Sequence, residues 1–179
     1  MAKFYPKITS RLQKFIEVQN VFFVATAPEE GRINLSPKGM DSLRVVNENR
    51  VLWLNVTGSG NETAAHLLEN PRITIMMCSF EGVPNILRIY GKGKAIHPKD
   101  KEWNSVVDLF PETPGTRQIF DITVESAQTS CGMSIPFFEY KGEREQLNDW
   151  AKEKGEEGIE EYWIERNQKS IDGKPTGIK

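Results

Sequence analysis

The segment from residue 50 to residue 77 has the pattern best suited to binding a charged small molecule. A strand-like run leads into a glycine turn, defined here as residues 58–61, and a short helix then ends before Asn70-Pro71. Ser59 and Glu62 have the spacing of a capping box, in which both side chains bond to backbone N–H groups at the helix start. The remaining N–H groups of such a start can bind an anion. An ordinary capped turn has the same spacing, and spacing alone favours that interpretation.

Other motifs for phosphate binding or nucleophilic catalysis are incomplete. The sequence has no P-loop pattern, and residues 58–63 lack the third glycine of a dinucleotide fingerprint. It has no GxSxG nucleophile elbow. A second glycine pair, Gly91 and Gly93, falls inside a strand-like run, where a bulge or a barrel bend is favoured. The sequence therefore indicates neither a Walker nor a Rossmann site.

The few cysteines and histidines form no recognisable site. Cys78 and Cys131 lie outside any CxxC pattern and are predicted to be reduced, buried thiols. A reactive thiol is the alternative for Cys131, but packing is favoured. His66 follows the glycine turn and either contacts a ligand or bonds to a neighbouring side chain. With His97 as the other histidine, we expect no metal site.

Four pieces of sequence, in their order and spacing, resemble one protein family. They are SPKG at residues 36–39, VTGSGNETAAHLLENPRITIM from residue 56, ILRIYGKG from residue 86 and QTSCG at residues 128–132. Together they resemble the flavin-binding split-barrel family related to pyridoxamine 5'-phosphate oxidase, over roughly residues 20–135. The closing SIDG resembles an uncharacterised branch of that family. The resemblance implies a six-stranded antiparallel split barrel, a homodimer, and FMN in two sites between the subunits.

The resemblance also assigns the FMN contacts. Lys38 would lie near the phosphate and the flavin edge, and the helix start at residues 61–63 would contact the phosphate. Cofactor-binding roles are implied for Ser36, Lys38, Thr57, Gly58, Ser59, Asn61, Glu62, Thr63, Arg88, Gln128, Ser130 and Cys131. Residues 128–132 are expected to approach the flavin bound by the other chain.

This chain departs from the oxidase at positions that matter for phosphate and substrate. Glu62 and Thr63 stand where the oxidase has arginine and lysine, and Ile86 stands where it has a glutamine beside the flavin ring. The oxidase's C-terminal arginine and histidine motif has no counterpart in SIDGKPTGIK. We therefore expect a substrate other than pyridoxamine phosphate, and an FMN phosphate held by backbone N–H groups, hydroxyls and Lys38.

The elements that must position these residues are mostly strands. Seven or so short strand-like runs favour an α+β fold built on a barrel or sandwich. Turn residues at 28–31, 37–39 and 47–49 separate the early runs. The run from residue 117 to residue 130 alternates less cleanly than the others.

Helices precede, interrupt and follow the strands. Ser10 and Gln13 form a capping pair for the first helix, and His97-Pro98 opens one that ends at Pro111. Two more helices meet at Gly155, and their acidic residues are predicted to be a solvated outer face. We expect an FMN-binding split barrel over residues 1–140 and a C-terminal helical extension of the same domain over residues 141–179.

Composition sets limits on location and partners. The chain has 179 residues, which is ordinary for one domain. It carries 23 basic and 25 acidic residues, so a nucleic-acid or anionic-membrane partner is not expected. The longest apolar run, residues 21–27, is too short to span a bilayer, and the N-terminal residues resemble no signal peptide. A cytoplasmic location is predicted.

The predicted function is that of a homodimeric FMN flavoprotein. Hydride or electrons would pass between FMN and an unidentified small molecule, and the cofactor would supply the redox chemistry. The alternatives are a non-catalytic flavin-binding or storage module, and a deazaflavin- or haem-binding relative.

Overall fold

The computed structural model describes residues 2–178, which form one curled antiparallel sheet with flanking helices. The strands are β1 (Lys3–Tyr5), β2 (Phe22–Thr26), β3 (Asn34–Lys38), β4 (Leu43–Asn47), β5 (Arg50–Val56), β6 (Arg72–Cys78), β7 (Ile86–Ile96) and β8 (Thr116–Ser130). The helices are α1 (Ser10–Glu17), α2 (Glu62–Glu69), α3 (Trp103–Val107) and α4 (Gln146–Arg166).

The sheet is an open barrel with two unpaired edges. Its order is β3-β2-β6-β7-β8-β5-β4, with β1 paired to one end of β8, so the barrel is split between β3 and β4. Pro37 lies in β3, where an edge strand tolerates the missing N–H group. The predicted α+β split-barrel fold is confirmed, with eight strands rather than six. The turn predicted at residues 37–39 is wrong in part, because β3 continues through Lys38.

The core lies mainly on the inner face of the curled sheet. Trp53 stacks on Phe120 with ring centroids 4.7 Å apart, and Phe22 meets Trp53 edge-on at 6.3 Å. A second apolar cluster on the other face of β5 packs under α3. Because β5 is covered on both sides, five successive residues of it are buried.

A β-bulge interrupts the pairing of β7 with β8. Tyr90 pairs with Ser126 and Gly91 pairs with Val124, which leaves Glu125 as an extra residue of β8 with no opposite residue in the backbone pairing. A side chain at Gly91 would collide with the carbonyl oxygen of Thr123. The glycine bulge predicted from the sequence is confirmed, and it explains the imperfect alternation of β8.

Two predicted helix starts are wrong. The cap of α1 is Thr9, whose hydroxyl accepts a 3.4 Å hydrogen bond from the Leu12 N–H, and Ser10 is the first helical residue. The helix α3 begins only at Trp103, because the Asp100 carboxylate accepts a 2.7 Å hydrogen bond from the His97 N–H and holds residues 97–100 in a turn. Local side-chain bonds thus redirect both segments.

The C-terminal part packs two helices and a hairpin against the barrel. Gly155 has a φ of 66° and breaks α4 into the two predicted helices, which meet where Trp150 and Tyr162 lie 5.2 Å apart. Their acidic side chains are mostly exposed, as predicted. Within residues 2–178, no helix is long and apolar enough to cross a membrane.

Candidate functional site

A cavity of about 910 Å³ opens at the split in the barrel. One wall is the inner face of β3, which presents Asn34, Ser36 and Lys38. Trp53 and Asn55 on β5 lie at the base of the cavity. The glycine turn and the start of α2 form a second wall, and residues 165–171 close the remaining side.

The glycine turn enters α2 without the predicted capping box. Asn61 is the N-cap residue, and its side chain makes no capping hydrogen bond. Both Glu62 carboxylate oxygens instead accept from the Ile171 N–H at 3.1 Å. The Ser59–Glu62 capping box is therefore wrong, because the C-terminal segment supplies a competing donor. The negative charge of Glu62 is directed to that segment.

Lys38 is a half-buried cation at one side of the cavity. Its ammonium lies 5.3 Å from the centroid of the Trp53 ring. Burial, and secondly the positive charge of Arg117, lower the pKa of Lys38 from 10.5 to about 8. Lys38 also borders a second cavity of about 1050 Å³ that is rich in aromatic side chains. It therefore lies between a polar cavity and a more apolar one.

Arg117 is a buried cation beneath the glycine turn. Asn55 pairs with Gln118 while Val56 pairs with Thr116, so Arg117 is the extra residue of a bulge at the start of β8. Bulges of this kind redirect side chains next to binding sites. The side chain is 3% exposed, and burial lowers its pKa below the usual range of arginine to about 10, so it stays charged at neutral pH.

The guanidinium of Arg117 bonds only to neutral oxygens. One nitrogen donates to the Gly60 carbonyl at 3.0 Å and to Asn167 Oδ1 at 2.7 Å, and another donates to Asn55 Oδ1 at 2.8 Å. Among residues 2–178 it has no carboxylate partner. A buried cation without a counter-ion is costly, and a bound anion would offset that cost.

Several buried polar atoms around the cavity have no hydrogen-bond partner within the described part of the chain. They are Asn61 Nδ2, His66 Nε2, Arg117 Nε and Gln118 Oε1. The other ring nitrogen of His66, Nδ1, lies 3.0 Å from the Thr26 hydroxyl. The predicted bond of His66 to a neighbouring side chain is therefore present, and Nε2 has no partner among the described residues. Buried polar groups in proteins normally have partners, so hydrogen bonding among the described residues is incomplete around this cavity.

The structure brings most of the predicted site residues together. The cavity is lined by Ser36, Lys38, Gly58, Ser59, Asn61, Glu62 and Thr63. Thr57 lies just beneath it, 1% exposed. Its hydroxyl donates to the Gly115 carbonyl and accepts from Trp163 Nε1, both at 2.8 Å. The Thr57 side chain thus supports the turn from below.

The remaining predicted residues lie on the outer face of β7 and β8. Arg88 pairs across the strands with Gln128, and its guanidinium donates to the Ser130 hydroxyl at 3.2 Å. Cys131 is exposed, so its predicted burial is wrong, because β8 ends at Ser130 and the chain leaves the sheet. Cys78 is buried, as predicted. The cavity at the split is not lined by any of the four predicted cofactor-binding residues in this region, which are Arg88, Gln128, Ser130 and Cys131.

The sequence analysis missed several residues of the candidate site. Arg117, Asn55 and Gln118 form the buried polar floor beneath the glycine turn. Asn167 reaches the same place from the C-terminal segment. The available signal was a polar Arg-Gln pair directly before the apolar Ile119 and Phe120 at the start of β8. No local pattern could have indicated Asn167.

Comparison with known proteins identifies the family. The model of the pyridoxamine 5'-phosphate oxidase family matches residues 8–131. The chain is 32% identical to the pyridoxamine 5'-phosphate oxidase family protein ustO of Aspergillus flavus, over 98% of this chain and 78% of that protein.

Two solved structures are similar in fold. A variant of HupZ from Group A Streptococcus has a TM-score of 0.57 and 20% identity, over 69% of this chain and 99% of that one. HutZ of Vibrio cholerae, described as a haem storage protein, has a TM-score of 0.51 and 18% identity, over 71% of this chain and 98% of that one. At such identities these structures support the fold alone. By the match of the family model and the similarity to ustO, the chain belongs to the pyridoxamine 5'-phosphate oxidase family.

Proposed function

We propose that the chain binds FMN in the cavity at the barrel split and acts as an oxidoreductase on a small molecule. The observation that carries this proposal is Arg117, a buried cation with neutral partners beneath the glycine turn. A phosphate bound at the turn would supply the missing negative charge. The start of α2 at residues 61–63 lines the same part of the cavity, and the free N–H groups of a helix start favour an anion.

The charge of the cavity also favours an anion. Its basic lining residues are Arg32, Lys38, Arg117, Arg166 and Lys169, against the acidic Glu62 and Glu165. Arg32 pairs with Asp172, but Arg117 and Lys38 have no such partner among the described residues. Arg117 would thus supply positive charge beneath the glycine turn, in a chain that lacks the basic pair of the oxidase at the helix start.

The residues of the chain would bind and orient the cofactor. Lys38, Arg117 and the N–H groups of the glycine turn would hold the phosphate, while the hydroxyls of Ser36 and Thr63 offer further hydrogen bonds. When bound, FMN supplies hydride or single-electron transfer at its ring system. The walls of the cavity would exclude water from one side of the ring.

A second copy of the chain would complete the site. Pro37, Phe23, Met76, Arg88, Gln128 and Phe4 are aligned across neighbouring strands by their pairing and share the outer face of the sheet. Phe4 is 68% exposed. A half-apolar face of this kind is typical of an interface. We infer a homodimer in which this face presents residues 128–131 of one chain to the cavity of the other.

An absorption spectrum of the purified protein, followed by titration with FMN and riboflavin, tests the proposal. We expect flavin bands and much tighter binding of FMN than of riboflavin, because each bond to the charged phosphate contributes about 1.5–3 kcal/mol. A Soret band or a deazaflavin band would contradict the proposal. So would a protein that has no chromophore and binds no added flavin. Bound FMN that no reductant or small-molecule acceptor can cycle would indicate a storage module instead.

A further inference from the structure

The C-terminal segment contributes a fully buried side chain to the glycine turn. Asn167 is 0% exposed and lies outside residues 8–131, the part of the chain that the family model matches. Its Nδ2 donates to the Gly58 carbonyl at 3.0 Å, and its Oδ1 accepts from Arg117 at 2.7 Å. Its backbone is held by bonds to the Trp163 carbonyl and the Thr176 hydroxyl.

These contacts set the direction of the peptide groups in the turn. Asn167 bonds the carbonyl oxygen of Gly58, and Arg117 bonds that of Gly60. In a trans peptide the N–H group points opposite to the C=O group. The N–H groups of Ser59 and Asn61 are therefore turned away from the buried polar floor, and both residues line the cavity.

The rest of the C-terminal segment is attached around the same turn. Trp163 donates to the Thr57 hydroxyl, and the Ile171 N–H donates to Glu62. The Lys174 ammonium lies 2.7 Å from Glu69 at the far end of α2. Asn167 thus sits in a segment held at both ends of the helix that follows the turn.

We propose that Asn167 is a positioning residue of the cofactor site, which holds the glycine turn so that its N–H groups face the phosphate of the bound flavin. The proposal rests on the proposed function, since it requires a phosphate at the turn. It makes phosphate recognition dependent on a segment outside the family's matched region. Asn167 itself does not contact the ligand.

The test compares FMN and riboflavin binding to Asn167→Ala and to a matched control, Gln168→Ala. Gln168 is the neighbouring exposed amide, and its side chain bonds only to the Trp163 carbonyl among the described residues. We expect the FMN dissociation constant of Asn167→Ala to rise about tenfold, the loss of roughly one bond to a charged group. Riboflavin binding should change less than about twofold, and the control should match the wild type.

Each outcome decides the proposal. An unchanged ratio of FMN to riboflavin affinity in Asn167→Ala overturns it. If neither affinity changes, Asn167 has no effect on the site, and if both fall equally, Asn167 acts through packing. If thermal unfolding shows that this variant does not fold, Asn167→Ser is measured instead, because serine keeps a polar atom in the buried site and its shorter side chain still cannot reach Gly58. Wild-type protein that binds neither flavin overturns the proposed function as well.

Discussion

The two groups of predicted site residues differ in how completely one chain assembles them. The residues of β3 and the glycine turn enclose a cavity over two internal cations. The residues on β7 and β8 bond to one another on an outer face that ends at the exposed Cys131. Burial strengthens electrostatic contacts, whereas exposed ones are weak. The phosphate half of a site can therefore be built within one chain, while the other half needs a covering surface.

The largest effect is expected from removing the buried cation. Arg117→Gln should weaken FMN binding on the order of 100-fold, because it removes a charge beneath the phosphate and frees the Gly60 carbonyl. Riboflavin binding should change far less. The control is Arg50→Gln, since Arg50 joins the same two strands but pairs with Asp121 at 2.9 Å. Equal effects of the two variants, measured by calorimetry, would contradict an internal phosphate site.

The second effect is a pH dependence that belongs to Lys38. Only the ammonium form attracts phosphate, and the pKa of Lys38 in the free protein is lowered to about 8. A bound phosphate would raise that pKa again, so FMN affinity should fall by up to about tenfold per pH unit above pH 8. Riboflavin affinity should not follow this curve. Lys38→Met should abolish the fall, and a curve unchanged in that variant would place the titrating group elsewhere.

The third effect concerns the outer face. Arg88→Glu should shift the dimer towards monomer in light scattering and lower FMN affinity several-fold, because the covering surface is lost. Lys92→Glu is the matched control, since Lys92 lies on the same strand beyond the bulge and is 59% exposed. If the wild-type chain is monomeric and still binds FMN tightly, the inference of a homodimer with a shared site is wrong.

The smallest effect is expected at Cys131. The thiol is exposed and lies outside the cavity. If FMN is the only redox carrier, Cys131→Ser should retain flavin reduction within about twofold. Stopped-flow measurement of flavin reduction checks this. Lost turnover with FMN still bound would show that the thiol takes part in the reaction.

The number and spacing of the strand-like runs and their turn residues predicted a barrel or a sandwich, and the family resemblance implied the split barrel. The helix break at Gly155 and the bulge at Gly91 were also predictable, since both need glycine. Helix starts failed where a side chain outside the expected motif supplied the cap, as Thr9 did. Local competition between donors and acceptors of similar strength cannot be ranked from spacing alone.

The candidate site was predictable only where its residues are close in sequence. The turn and Lys38 lie in recognisable strings, and the structure places them at one cavity. Arg117 was missed because a bulge turns it under the turn, 57 residues away from Gly60. Asn167 lies 109 residues from Gly58. Whether these residues bind FMN remains a prediction that the titrations above will test.

The extra residue Glu125 changes which side chains of β8 face the core. On either side of it the alternation of β8 has opposite phase, so Val124 and Ala127 both face the core although three positions separate them. Losing this one residue would restore strict alternation, with Val124 and Ala127 still on the core face and Gln128 still on the outer face. It would remove the local bend and the extra twist that a bulge gives a strand. The side chain at position 125 is exposed, so the extra backbone unit, and not the identity of Glu125, shapes this part of the sheet.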